Sequence, residues 1–129
     1  MTDKKKVESF EDLEVWKEGC DLAVLVYKLV QEGKISRDYG LKDQMTRAAV
    51  SIPSNVAEGK ERETIPELTR YLYIAKGSAG ELRTHLYIAF RVGYMDEQTY
   101  QDVKGKTKKM SSKLGSFIRS LKKYQTRSS

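Results

Sequence analysis

One cysteine, one histidine and two prolines among 129 residues leave few kinds of site chemistry open. Cys20 alone cannot close an internal disulfide, so the disulfide-stapled secreted class is excluded and a reducing, cytoplasmic setting is predicted. A di-iron bundle needs inward glutamates and two Glu-x-x-His pairs; this chain offers Glu81-x-x-x-His85 and no second histidine. No metal and no cofactor are therefore expected. A glycine-rich phosphate loop is also missing, because Gly77 and Gly80 fall inside a helical pattern where backbone donors are already used. No apolar run approaches bilayer length, and the start MTDKKKVESF is charged without an apolar stretch behind it, which predicts neither a membrane span nor a secretory signal. Strand-like alternation between turn pairs is absent as well. Finally, no acid follows Asp102.

What is present is a helix-forming, strongly charged chain of one-domain length. Charged residues make up 33% and hydrophobic ones 39%, too apolar for disorder and ordinary for a helical domain. The net charge of +6 is unevenly placed. Residues 1–102 hold 15 Lys/Arg against 18 Asp/Glu, whereas from Val103 onward there are nine bases and no acid. The positive excess of the last helix predicts an anionic partner or an anionic surface within an assembly.

Residues 1–8 read as a basic arm, 9–124 as the folded unit and 125–129 as a flexible tail. Ser9 is placed to cap a first helix, with Glu11, Asp12 and Glu14 at its positive end. Its apolar stripe is Leu13, Trp16, Cys20, Ala23, Val24, Tyr27 and Val30, ending at Gly33. After a polar connection, Lys34–Gly40, a second helix runs from near Leu41 through Met45, Ala48, Ile52 and Val56 to Gly59, a C-terminal stop or a weak point shortly before one. Pro53 lies inside it and predicts a kink rather than a break, because the period resumes in phase at Val56. Thr64-Ile65-Pro66-Glu67 is a capping box with proline in the first turn. The third helix buries Leu68, Tyr71, Leu72, Ala75, Ala79, Leu82, Leu86 and Phe90, and Ile74, Tyr87 and Ile88 flank that face. Gly77, Ser78 and Gly80 predict close approach of a neighbouring helix, offsetting a helix-propensity cost of roughly 1 kcal/mol per glycine. After the turn Gly93-Tyr94-Met95, Asp96 caps a fourth helix. Its seam is Tyr100, Val103, Thr107, Met110, Leu114, Phe117, Leu121 and Tyr124. Four amphipathic helices with short connections make an all-α, antiparallel up-down-up-down four-helix bundle.

No set of side chains in this reading forms a catalytic kit, so the expectation is a protein that is not an enzyme. Cys20 and His85 would make a nucleophile and base only if brought together; an inert thiol on the core stripe is the reading taken. Arg47 and Glu81 adjoin the inner stripes of helices two and three and are expected to act as a structural ion pair or as a cap on a neighbouring helix. Asn55 and Glu58 are expected to tie down the turn that follows. The bases Lys104, Lys106, Lys108, Lys109, Lys113, Arg119, Lys122 and Lys123 are the nucleic-acid-binding candidates, against a merely solubilising face or a membrane surface. With no aromatics between these lysines on the outer face, no base-stacking platform is predicted. The alternative is a protein-interaction scaffold for an acidic partner.

Three segments, FEDLEVWKEGCDLAV (10–24), LKDQMTRAAVSIPSNVAEG (41–59) and YLYIAKGSAGELRTHLYIA (71–89), resemble the 23S rRNA intervening-sequence proteins, a family of four-helix-bundle proteins. The resemblance spans about residues 9–123 and keeps the segment order. It implies a left-handed bundle assembled as a ring-like homopentamer. It also implies kinship with the accessory variability protein of diversity-generating retroelements, a basic pentamer that binds nucleic acid and a reverse transcriptase. An adaptor role toward an RNA or a reverse transcriptase follows as an expectation. The family supplies no catalytic residues. Its matched positions here, Arg47, Pro53, Asn55, Glu58, Gly59, Gly77, Ser78 and Glu81, are expected to determine fold and assembly.

Overall fold

The protein is described by a computed structural model over residues 9–128. The basic arm expected at 1–8 lies outside the described residues. Four α-helices follow one another: α1 (Glu14–Leu29), α2 (Tyr39–Glu61), α3 (Ile65–Arg91) and α4 (Glu97–Ser128), with 3-10 turns at Phe10–Asp12 and Lys34–Arg37. Among the described residues there is no strand. Contacts at both ends and the middle fix the topology. Gly19 meets Pro53, Ser51 meets Ser78, Phe90 stacks on Tyr100 and Lys113 reaches Glu18. Residue numbers rise along one helix as they fall along its neighbour, so the bundle is antiparallel, up-down-up-down.

Local chemistry sets the helix starts. Ser9 forms a full capping box with Asp12, but on the 3-10 turn; α1 begins one step later at Glu14, with Leu13 offering no side-chain cap. Asp38 caps α2 through Leu41 N–H at 3.1 Å, and Tyr94 donates its hydroxyl to the other oxygen of the same carboxylate at 2.9 Å. That bond ties the α3–α4 turn to the start of α2. Thr64 caps α3 as expected, accepting from Glu67 N–H. The Glu67 carboxylate turns to Arg70 and Arg62 instead of completing the box. Asp96 accepts from Thr99 N–H at 2.8 Å and starts α4.

The core runs the length of the molecule: Val26, Met45, Ile52, Val56, Leu72, Leu82, Leu86 and Leu114 have no exposed surface. α2 passes through Pro53 unbroken and continues past Gly59 to Glu61. Of the two readings for Gly59, it is the weak point shortly before the stop and not the stop itself. Its missing side chain lets α3 in: a Cβ there would lie 2.7 Å from Tyr71 Cβ and 3.3 Å from the Leu68 backbone. Gly19 does the same for α1 against Pro53, at 3.3 Å. Gly77 and Gly80 do not. A Cβ at either position would meet no atom within 4 Å, so the close approach expected there is not made inside the protomer.

Three further expectations are corrected. On α1 the buried line is Val15, Gly19, Leu22, Ala23, Val26 and Val30; Val24 and Tyr27 are 53% and 46% exposed, and Trp16 and Cys20 are half-buried. Apolar residues nearly encircle α1, so periodicity alone admits two stripes; Gly19 selects the one that lets α2 close. The connection at 34–40 is not wholly polar, because Ile35 is buried under the bundle end. On α4 the seam turns after Leu114 to Ile118, leaving Phe117 and Leu121 half-buried and Tyr124 60% exposed. An α-helix drifts about 20° per heptad against a strict seven-residue repeat, which accounts for the shift late in a long helix. The helix continues through residues 125–128, most of the segment expected as a tail.

Candidate nucleic-acid interface

α4 carries the bases, and its burial pattern decides where each one faces. Val103, Thr107, Met110, Leu114 and Ile118 point inward. At about 100° per residue the lysines then spread over the whole remaining arc rather than forming one ridge. Lys113 reaches across to α1 and pairs with Glu18 at 2.6 Å. Lys106 and Lys109 lie on the same side, lining a groove with Glu18 and Asp21 over Leu22, Leu25 and Met110. Lys108, Arg119 and Lys123 are exposed. Lys122 reaches α3, donating to the Tyr73 hydroxyl at 2.7 Å, and Lys104 lies 5.5 Å from the ring centre of Tyr100 one turn back on α4. Of the eight candidates, Lys113 is the one in an ion pair among the described residues.

α3 supplies what sequence reading missed. Lys76 and Arg83 lie on its α4-facing edge, and Arg91 follows one turn beyond Tyr87. A Cβ built on Gly115 would be 3.4 Å from both Arg119 Nη1 and Lys76 Cε, so these two cations lie side by side over the glycine. Tyr73 and Tyr87 are 48% and 45% exposed on the same edge. Arg91 donates to the Tyr87 hydroxyl at 2.8 Å, repeating the arrangement of Lys122 on Tyr73. Aromatic rings do accompany the bases, then, but from the neighbouring helix. The signal in the sequence was the spacing Tyr73, Lys76, Gly80, Arg83, Tyr87, Arg91, one edge of a helix at steps of three and four.

The fold and assembly candidates separate into two groups. Asn55 donates to the Ser51 carbonyl and hydroxyl at 2.8 Å, and Ser78 donates to Ser51 Oγ at 2.9 Å, a small polar junction bracing α2 on α3. Asn55 therefore braces the helix pair rather than the turn. Glu58 does act at the turn: it holds Arg62, whose guanidinium also donates to Tyr71 Oη at 2.8 Å. Pro53 and Gly59 are buried contacts already described. Arg47 and Glu81 line one surface depression with Tyr27 and Ser51, yet they form no ion pair; exposed Arg47 pairs with Asp43 one turn back at 3.0 Å. Antiparallel packing brings the two helices together but leaves both side chains on their outer flanks.

Cys20 faces the depression over Pro53, Val24 and Ala57, which His85 does not line. Burial, helped by Asp21, pushes its thiol pKa up, so the thiolate that a nucleophile requires is disfavoured. His85 is buried on α3 with Nδ1 unpartnered. Among the described residues no group of three or more His, Cys, Asp or Glu is placed to hold a metal. No helix of the described residues is long and apolar enough to cross a membrane.

Comparison with known proteins adds the following. A solved structure of a protein of unknown function from the S23 ribosomal protein family of Bacteroides thetaiotaomicron superposes with a TM-score of 0.74. It covers 81% of this chain and 97% of its own at 21% identity, a likeness that establishes the fold alone. No curated protein matches the chain. The family model of the 23S rRNA-intervening sequence proteins matches residues 11–116, from the first 3-10 turn to the second half of α4, and the chain belongs to that family.

Proposed function

We propose that this protein is a non-catalytic, oligomeric four-helix bundle that binds nucleic acid through the phosphate backbone, in the manner of an adaptor to an RNA or a reverse transcriptase. The observation that carries this reading is the free basic arc of α4. Nine bases follow Asp102 without one acid, and Lys104, Lys106, Lys108, Lys109 and Lys123 make no ion pair among the described residues. Phosphate contacts of this type release counterions, so affinity falls steeply with salt and is tolerant of sequence.

Two separate apolar patches favour assembly. Ile74 and Ile88 are 41% and 44% exposed on α3; Val24 and Val50 are 53% and 38% exposed on α1 and α2. Patches on different faces that complement one another make a head-to-tail contact, which gives a ring such as a homopentamer when the rotation between copies closes. Gly77 lies between Ile74 and Glu81 with open space above it, where a neighbouring copy's helix can come close. A ring would also repeat the basic arc, raising avidity for a polyanion.

Charge reversal tests the reading. Lys113 is unsuitable, since Lys113→Glu would set two carboxylates against each other at the α1–α4 seam. Lys104→Glu, Lys108→Glu and Lys109→Glu together are expected to abolish RNA and DNA binding at low salt while the circular dichroism spectrum stays helical. Unchanged binding would refute a site on α4. Binding to acidic proteins but to no nucleic acid would favour the scaffold instead.

A further inference from the structure

The α3–α4 edge has a chemistry that α4 alone does not. Six cations, Lys76 and Arg83 from α3 with Lys104, Lys108, Arg119 and Lys122 from α4, lie along one strip of about 18 residues of α4, roughly 27 Å at 1.5 Å per residue. Lys76 and Arg119 converge over Gly115 with no carboxylate between them. Three of the four acids of the two helices are turned elsewhere: Glu81 to the depression beside Arg47, Asp102 to Gln98 and the α1 side, Glu67 to Arg62 and Arg70. The fourth, exposed Glu97, stands in the first turn of α4, about two turns before Lys104. Like charges held together at a seam favour an anion between them.

The strip also carries two exposed rings, each with a cation fastened to it. Lys122 sits 5.0 Å from the Tyr73 ring centre and donates to its hydroxyl; Arg91 sits 5.5 Å from the Tyr87 ring centre and does the same. Fastening through the hydroxyl fixes the side-chain pair, and each tyrosine is still about half exposed with the cation over its ring. The rings are two positions of one helix edge, 14 residues and about 21 Å apart. A duplex presents phosphates to such a strip but keeps its bases stacked inside. A single strand presents phosphates to the cations and bases to the rings.

We infer that the α3–α4 edge is a single-strand nucleic-acid seat, with Lys76, Arg83, Lys104, Lys108, Arg119 and Lys122 tracking the backbone and Tyr73 and Tyr87 stacking on bases. This inference rests on the proposed nucleic-acid function and narrows it to single strands on a two-helix surface. On α4 the seat's inner edge is buried Ser111 and Gly115, with Lys76 and Arg119 over the glycine. Stacking is tolerant of base identity, so no sequence preference follows.

Anisotropy with a labelled, unstructured single-stranded oligoribonucleotide and a duplex of equal phosphate count tests it, in parallel with the oligomer mass. The wild type should bind the single strand more tightly than the duplex. Tyr73→Leu with Tyr87→Leu should weaken single-strand binding roughly five- to a hundredfold per ring and leave duplex binding unchanged. Tyr73→Phe with Tyr87→Phe keeps both rings and should retain single-strand binding within about twofold of the wild type. Lys76→Gln with Arg119→Gln should weaken both ligands and lower the salt slope for the single strand by roughly 1.4. Unchanged single-strand affinity in the leucine pair, or a wild-type preference for the duplex, would overturn the inference while leaving the α4 reading intact. A changed oligomer mass in the leucine pair would place this edge between copies and overturn it too. No binding of either nucleic acid at low salt would overturn the function on which it rests.

Discussion

At the scale of single residues, the glycines show how a composition count divides into different physical roles. Gly59 is required by contact, because Tyr71 and Leu68 occupy the space a methyl would need. Gly80 is in open space, where alanine adds helix propensity and meets nothing. Gly59→Ala is therefore expected to cost about 1–2 kcal/mol net, overpacking outweighing the propensity gain. Gly80→Ala is expected to stabilise by about 0.5–1 kcal/mol. Urea unfolding of the two variants checks the contrast, and equal effects of the same sign would contradict it. Asp96 supplies a pH dependence. The Thr99 backbone N–H it accepts holds its carboxyl below the ordinary carboxylate range. A lowered folded-state pKa means stability present at neutral pH and lost as pH falls through that value. Asp96→Asn keeps an acceptor at the cap but does not titrate, so its thermal unfolding should depend less on pH in the acid range than the wild type's. An unchanged acid profile would remove Asp96 from the account.

At the scale of elements, what was legible in the sequence followed the strength of the local signal. Thr64 and Asp96 were readable as caps because a capping side chain acts within three residues. Pro53 was readable as internal to α2 because Val56 resumed the period. The inward face of α1 was not, since the apolar arc that holds Val15, Trp16, Val24, Leu25 and Tyr27 is wide enough for two stripes, and the choice is made by Gly19 against Pro53 on another helix. Asp38 was missed for a similar reason: its second partner, Tyr94, is 56 residues away. The basic half of the site was legible as a run of lysines without acids. Its aromatic half was not, because Tyr73 and Tyr87 belong to α3 and only antiparallel packing sets them beside α4. Glu81 and Arg47 show the converse. Spacing suggested a meeting, and the helices do pack, but side-chain direction keeps the two apart.

At the scale of the whole molecule, opposite charges meet along the α1–α4 groove. α1 brings Glu18 and Asp21 to it and α4 brings Lys106 and Lys109, with the two helices joined at Glu18–Lys113. That pair is 36% and 39% exposed, so it orients the two helices more than it stabilises them. The protomer leaves most bases of α4 without an ion pair among the described residues and exposes apolar side chains on α1, α2 and α3. Binding of labelled single-stranded RNA by the wild-type protein across a salt series, with oligomer mass measured in the same buffers, tests the central claim most directly. The account predicts a multimer whose log affinity falls linearly and steeply with log salt. Absence of binding at the lowest salt, or affinity independent of salt, would contradict it.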